Sequence, residues 1–87
     1  MVLKDLIDEI KNYKNASAHK SALDMFRLLD GSKALFLSEM NPDNFNHLLS
    51  QFENLSYGNP KEYNTPSYIR DYNRVYDLLL FYLDRIN

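Results

Sequence analysis

The sequence predicts an all-α fold, a compact bundle of four to five helices with a long C-terminal helix. Three observations carry that expectation. Apolar residues recur at the spacings of three and four that mark one face of a helix along most of the chain. Two segments open on a capping residue followed by proline, Asn41-Pro42 and Thr65-Pro66. Proline suits the first helical position because the N–H it lacks would have no partner there. Finally, 87 residues leave room for one hydrophobic core, so the whole of 1–87 is expected to form a single domain.

The first helix is expected over residues 2–14. Val2, Leu3, Leu6, Ile7, Ile10 and Tyr13 fall on one side of a wheel, with Lys4, Asp5, Asp8, Glu9, Lys11 and Asn12 on the other. A second helix is expected from about Ser17 to Leu29, with Ala18, Ala22, Met25, Phe26 and Leu29 as its apolar stripe and Asp30-Gly31 as its stop. Residues 33–40 fit neither period well. A short buried helix or turn is the preferred reading. A hairpin around residues 26–37, turning at Asp30-Gly31, is the alternative, disfavoured because an isolated two-stranded hairpin is marginal in water.

The next helix starts at Asn41-Pro42, with Asp43 near the positive end of the helix dipole. It carries Phe45, Leu48, Leu49, Phe52 and Leu55 as a stripe and breaks at Tyr57-Gly58-Asn59-Pro60. The last helix runs from about 66 to 86. Its core-facing arc is expected to hold Ile69, Tyr72, Val75, Tyr76, Leu79, Leu80, Leu83 and Ile86. Tyr68, Tyr72 and Tyr76, four apart, are expected in the core or at its rim.

Composition narrows the function classes. No apolar run approaches the ~18 residues of a membrane span, and the charged N-terminus lacks the pattern of a secretory signal. With no cysteine in the chain, a cytoplasmic protein without disulfides or thiolate metal sites is expected. No catalytic, cofactor or metal residues are assigned, and an enzyme is not expected. His19 and His47 lie in different segments without metal-ligand spacing. The run from Asn41 to Asn46 lacks the glycine of a calcium loop and puts Phe45 where an oxygen ligand belongs. The two glycines, Gly31 and Gly58, form no phosphate-cradling loop.

Nucleic-acid binding is disfavoured by charge. Twelve acidic residues outnumber ten basic ones, the isoelectric point is near 5.5, and residues 34–60 contain no lysine or arginine. The remaining basic patch is Lys11, Lys14, His19 and Lys20.

Protein recognition is therefore the expected function. The basic-free middle offers Glu39, Asp43 and Glu53 to a partner with a basic surface. Seven tyrosines provide broad amphipathic contact area. Phe81 falls among Arg70, Arg74, Asp77, Asp84 and Arg85 on the wheel, opposite the core-facing arc, and Leu78 and Tyr82 extend an apolar shoulder beside it. Leu78, Phe81, Tyr82, Glu39, Asp43 and Glu53 are thus the expected interface, facing another protein or a second copy of the chain. The size, the acidity and the wealth of Asn and Tyr give the chain the general build of inhibitor, immunity or antitoxin-like proteins of phages and plasmids, which mask a partner surface. The alternatives are a self-associating structural or adaptor module and a small helical nucleic-acid regulator.

Overall fold

The core is assembled from five helices, α1 (Leu3–Asn12), α2 (Ala22–Gly31), α3 (Lys33–Leu37), α4 (Pro42–Ser56) and α5 (Pro66–Leu83). The computed structural model describes residues 2–13, 21–57 and 65–86, and no strand occurs among them. Both proline-led starts act as helix caps. Asn41 Oδ1 accepts from the backbone N–H groups of Asp43 at 2.8 Å and Asn44 at 3.4 Å. Thr65 Oγ1 accepts from the N–H of Tyr68 at 3.4 Å. Each hydroxyl or amide oxygen satisfies donors that the first helical turn leaves without a backbone partner.

The α2 start lies later than its apolar stripe suggests. Ser21 is the cap, its Oγ accepting from Asp24 N–H at 3.2 Å, and Ala22 is the first helical residue. The expected turn over Ser17–Lys20, with Ala18 and His19, lies outside the described residues, as do Lys14, Gly58, Asn59 and Pro60. At the other end Asp30 and Gly31 are the last two residues of the helix, so it stops within two residues of the expected place. The hairpin is excluded. Its tight turn needs positive φ at the central residues, whereas no described residue has positive φ. The chain instead pivots at Ser32, whose N–H reaches the carbonyls of Leu28 and Leu29, and restarts as the short helix α3.

α4 is the central element. It lies closest to α2 on one side and to α5 on the other, and α3 bridges α2 and α4. Phe36 of α3, fully buried, meets Phe45 edge-on with ring centroids 5.5 Å apart. Phe52 meets Tyr72 in the same way at 5.9 Å. Leu29, Phe36, Met40, Phe45, Leu48 and Leu79 enclose a gap too small to admit a water molecule. The radius of gyration, 12.5 Å, matches the ~12 Å expected of a folded chain of this length.

Tyrosine supplies much of the α5 seam. Tyr68, Tyr72 and Tyr76 stack in a ladder with successive centroids 6.2 Å apart. Its two ends reach other helices through their hydroxyls. Tyr68 Oη accepts from the N–H of Ala22 at 3.3 Å, and Tyr76 Oη donates to the carbonyl of Ile10. The ladder therefore ties the start of α2 and the end of α1 to α5, each through a backbone group that a helix terminus leaves exposed. α1 adds Leu6, Ile7 and Ile10 to the core and a salt bridge from Lys11 to Asp84 at 2.7 Å.

Three core expectations are corrected. Ile69, placed in the core arc by the wheel, is 46% exposed. It sits at the edge of that arc, where Tyr68 beside it makes the contact with α2. Val2 is exposed because it precedes the helix, in extended backbone at φ −90° and ψ 155°, and so is not carried on the helical face. α5 ends at Leu83 and not at 86. Asp84 and Arg85 form a final tight turn that brings Ile86 back against the core as a half-buried residue.

Candidate protein-binding face

The face of α5 opposite the tyrosine ladder follows from the residue count alone. At ~100° per residue, Phe81 projects away from Tyr72, Val75, Tyr76 and Leu79. Those four are buried, and Phe81 is 49% exposed. Leu78, one turn earlier and rotated toward α4, is half-buried.

Where α4 and α5 diverge, their side chains leave an open groove of about 640 Å³. His47 and Gln51 line it from α4. Arg74, Asp77, Leu78 and Phe81 line it from α5, with Val75 at its base. Arg85 covers one face of the Phe81 ring, its guanidinium carbon 3.5 Å from the ring centroid, and its Nη1 donates to the Phe81 carbonyl at 2.8 Å. One contact orients the arginine and the other gives its charge an aromatic partner. The Tyr82 ring packs edge-on against Phe81 at 5.6 Å.

Of the six residues expected at the interface, Leu78 and Phe81 line this groove, and Tyr82 supports Phe81 from behind. The three acids do not line the groove. Glu39 lines a second, smaller groove with Leu3, Ile7 and Leu83. Asp43 is exposed in the first turn of α4, and Glu53 is half-buried near its other end. Sequence reasoning did not reach His47 or Gln51 as neighbours of Phe81, because the wheel gives the polar side of α4 but not which other helix it faces. Arg74 and Asp77 were already grouped with Phe81 on the wheel of the last helix, along with Arg70, Asp84 and Arg85.

His47 and Asp77 share the groove, but no hydrogen bond joins them. No cluster of three or more His, Asp or Glu capable of holding a metal ion occurs among the described residues. The Lys11 of the basic patch is engaged with Asp84, and the patch's other members lie outside the described residues. No described helix is long and apolar enough to cross a membrane.

The shifted ionisations are those of tyrosines. Burial, and then the neighbouring hydroxyls of Tyr68 and Tyr76, raise the Tyr72 phenol well above its ordinary value. Tyr13 is pushed up to about 12, by burial first and then by its hydrogen bond to Glu9 at 2.6 Å. These groups hold helices together and do not face the groove.

No known protein family, curated protein sequence or solved structure matches the chain.

Proposed function

We propose that this chain is a small protein-binding domain that acts by masking a surface of a partner protein, with the α4–α5 groove around Phe81 as its contact face. The observation that carries this reading is Phe81 itself. It is a large aromatic side chain half in water, on the longest helix of the domain, beside a groove with an apolar base. An aromatic anchor surrounded by polar groups is the usual composition of a binding hot spot. A masking role of the kind played by inhibitor, immunity or antitoxin-like proteins suits an 87-residue domain with one contact face.

The test compares the protein with its Phe81→Ala variant in affinity capture from a lysate and in sedimentation. We expect a captured protein to be lost, or its affinity to fall about 30-fold, the effect of removing an anchor worth ~2 kcal/mol. Helicity should be unchanged. Survival of every association in the variant overturns the reading.

A further inference from the structure

We infer that the segment bound along this face is an acidic peptide of a partner protein carrying an apolar anchor, with Arg70, Arg74 and Arg85 receiving its carboxylates and Phe81 and Leu78 receiving its anchor. The inference rests on the reading of the groove as a protein-binding face and adds the chemistry of the partner.

Every cation of α5 and its closing turn is an arginine. The six lysines of the chain all lie elsewhere, at positions 4, 11, 14, 20, 33 and 61. Arg70, Arg74 and Phe81 follow one another at spacings of four and seven, steps that return to the same side of α5 over ~17 Å at 1.5 Å per residue. Arg85 of the closing turn extends this stripe by lying on the Phe81 ring, and Asp77 falls on the same side between Arg74 and Phe81. Arginine differs from lysine in a way that matters on such a stripe. Its planar fork takes a carboxylate through two parallel hydrogen bonds and also stacks on aromatic rings.

The stripe is available to a carboxylate. Arg74 makes no ion pair with any described residue. Arg85 rests on a ring and a carbonyl, with no carboxylate opposite it. Arg70 meets Asp71 only at 3.5 Å, with both side chains substantially exposed. Such a pair contributes little and exchanges readily.

The same helix argues for discrete carboxylates over a polyphosphate. Asp71, Asp77 and Asp84 interrupt the cations of α5 and its closing turn, and Asp77 lines the groove itself. A nucleic-acid backbone presents a charge at every step and would meet these acids. A peptide places its carboxylates only where the arginines are, and its apolar side chain fills the space between Leu78 and Phe81. The expected acids Glu39, Asp43 and Glu53 do not enter this face, so the basic partner they suggested is not the one the groove fits.

The test is selection from a random peptide library displayed on phage, panned against the full chain, with each recovered peptide rechecked on Phe81→Ala. We expect the Phe81-dependent peptides to combine Asp or Glu with a leucine or an aromatic residue. Binding should weaken about tenfold on Arg70→Glu with Arg74→Glu, the effect of losing contacts of hot-spot strength. Both positions are exposed, so the doubly substituted chain should fold normally, and panning against it should select Lys and Arg instead. Phe81-dependent peptides that are basic, or show no preference in charge, overturn the acidic partner and leave the groove standing as a binding face. Recovery of no Phe81-dependent peptide overturns both. A fluorescein-labelled single-stranded oligonucleotide that binds more tightly than the peptides, and is lost with the same arginines, assigns the stripe to nucleic acid and overturns the inference. A dimer in sedimentation that these substitutions dissolve assigns it to a second copy, with the same consequence.

Discussion

The two sides of α5 use similar residues to opposite ends. On the inner side Tyr72 and Tyr76 are 6% and 5% exposed, stacked on one another and hydrogen-bonded or packed into neighbouring helices. On the outer side Phe81, the more apolar ring, is left half in water beneath an arginine. Hydrophobicity alone would reverse the placement. Phase along the helix decides it: Tyr72, Val75, Tyr76 and Leu79 share the arc that α2, α4 and α1 can cover together, and the position of Phe81 rotates it out of reach. Tyr68 and Tyr76 tolerate the seam because their hydroxyls find backbone partners at its rim. A phenylalanine has no hydroxyl to satisfy, and on the opposite face Phe81 stays half exposed, which is what makes it the candidate for a contact beyond the domain.

This contrast is sharpest where truncation is compared on the two sides. Phe52 is fully buried against Tyr72, and Phe52→Ala should cost about 3 to 5 kcal/mol. Urea denaturation followed by circular dichroism measures it. A loss below ~1 kcal/mol would mean that the α4–α5 seam is not the core of this protein.

Alkaline titration probes the same side through its hydroxyls. Tyr13 ionises near 12 when folded and near 10 when unfolded, and burial moves Tyr72 in the same direction. The unfolded chain then releases protons that the folded one retains. Stability is fully present below pH ~10 and falls as pH rises through 12. Tyr72→Phe keeps the ring, so it should leave stability at neutral pH nearly unchanged and flatten the alkaline loss. A loss as steep as in the parent protein would remove Tyr72 from the effect.

The helix caps come next in size. Asn41→Ala removes the oxygen that accepts from Asp43 and Asn44 and should cost about 1 kcal/mol, readable as a shift of the urea midpoint at constant slope. No shift at all would mean that water replaces the cap without cost.

Those caps were also the most legible feature of the sequence. Asn41-Pro42 and Thr65-Pro66 locate two helix starts to the residue because capping is local chemistry, needing only the next three positions. Asp30-Gly31 located the end of α2 within two residues for the same reason. The same dipeptide also suits a hairpin turn, and the helical restart at Lys33 excludes that alternative. Phe81 was legible as the outlier of its helix. Its neighbours His47 and Gln51 on α4 were not, since a wheel records the phase of one helix and carries nothing about where a second helix crosses it. Glu39, Asp43 and Glu53 were grouped by their nearness in sequence, which does not say which groove a side chain lines, and none of them lines the one beside Phe81.

A stability effect as small as that of the cap separates the two sides of α5 most directly. Phe81→Ala removes a ring that is half in water and loses the Arg85 contact, a cation–aromatic interaction worth about 0.5 to 1 kcal/mol at an exposed site. The unfolding free energy should therefore fall by about 1 kcal/mol, well short of the Phe52→Ala loss, with the slope against urea unchanged because the buried core is the same. Arg85→Ala should give nearly the same loss, and the double variant little more, since both changes break one contact. A Phe81→Ala loss equal to that of Phe52→Ala would show that α5 is covered on both sides. The groove would then be part of the core, and the binding face would have to be sought elsewhere on the domain.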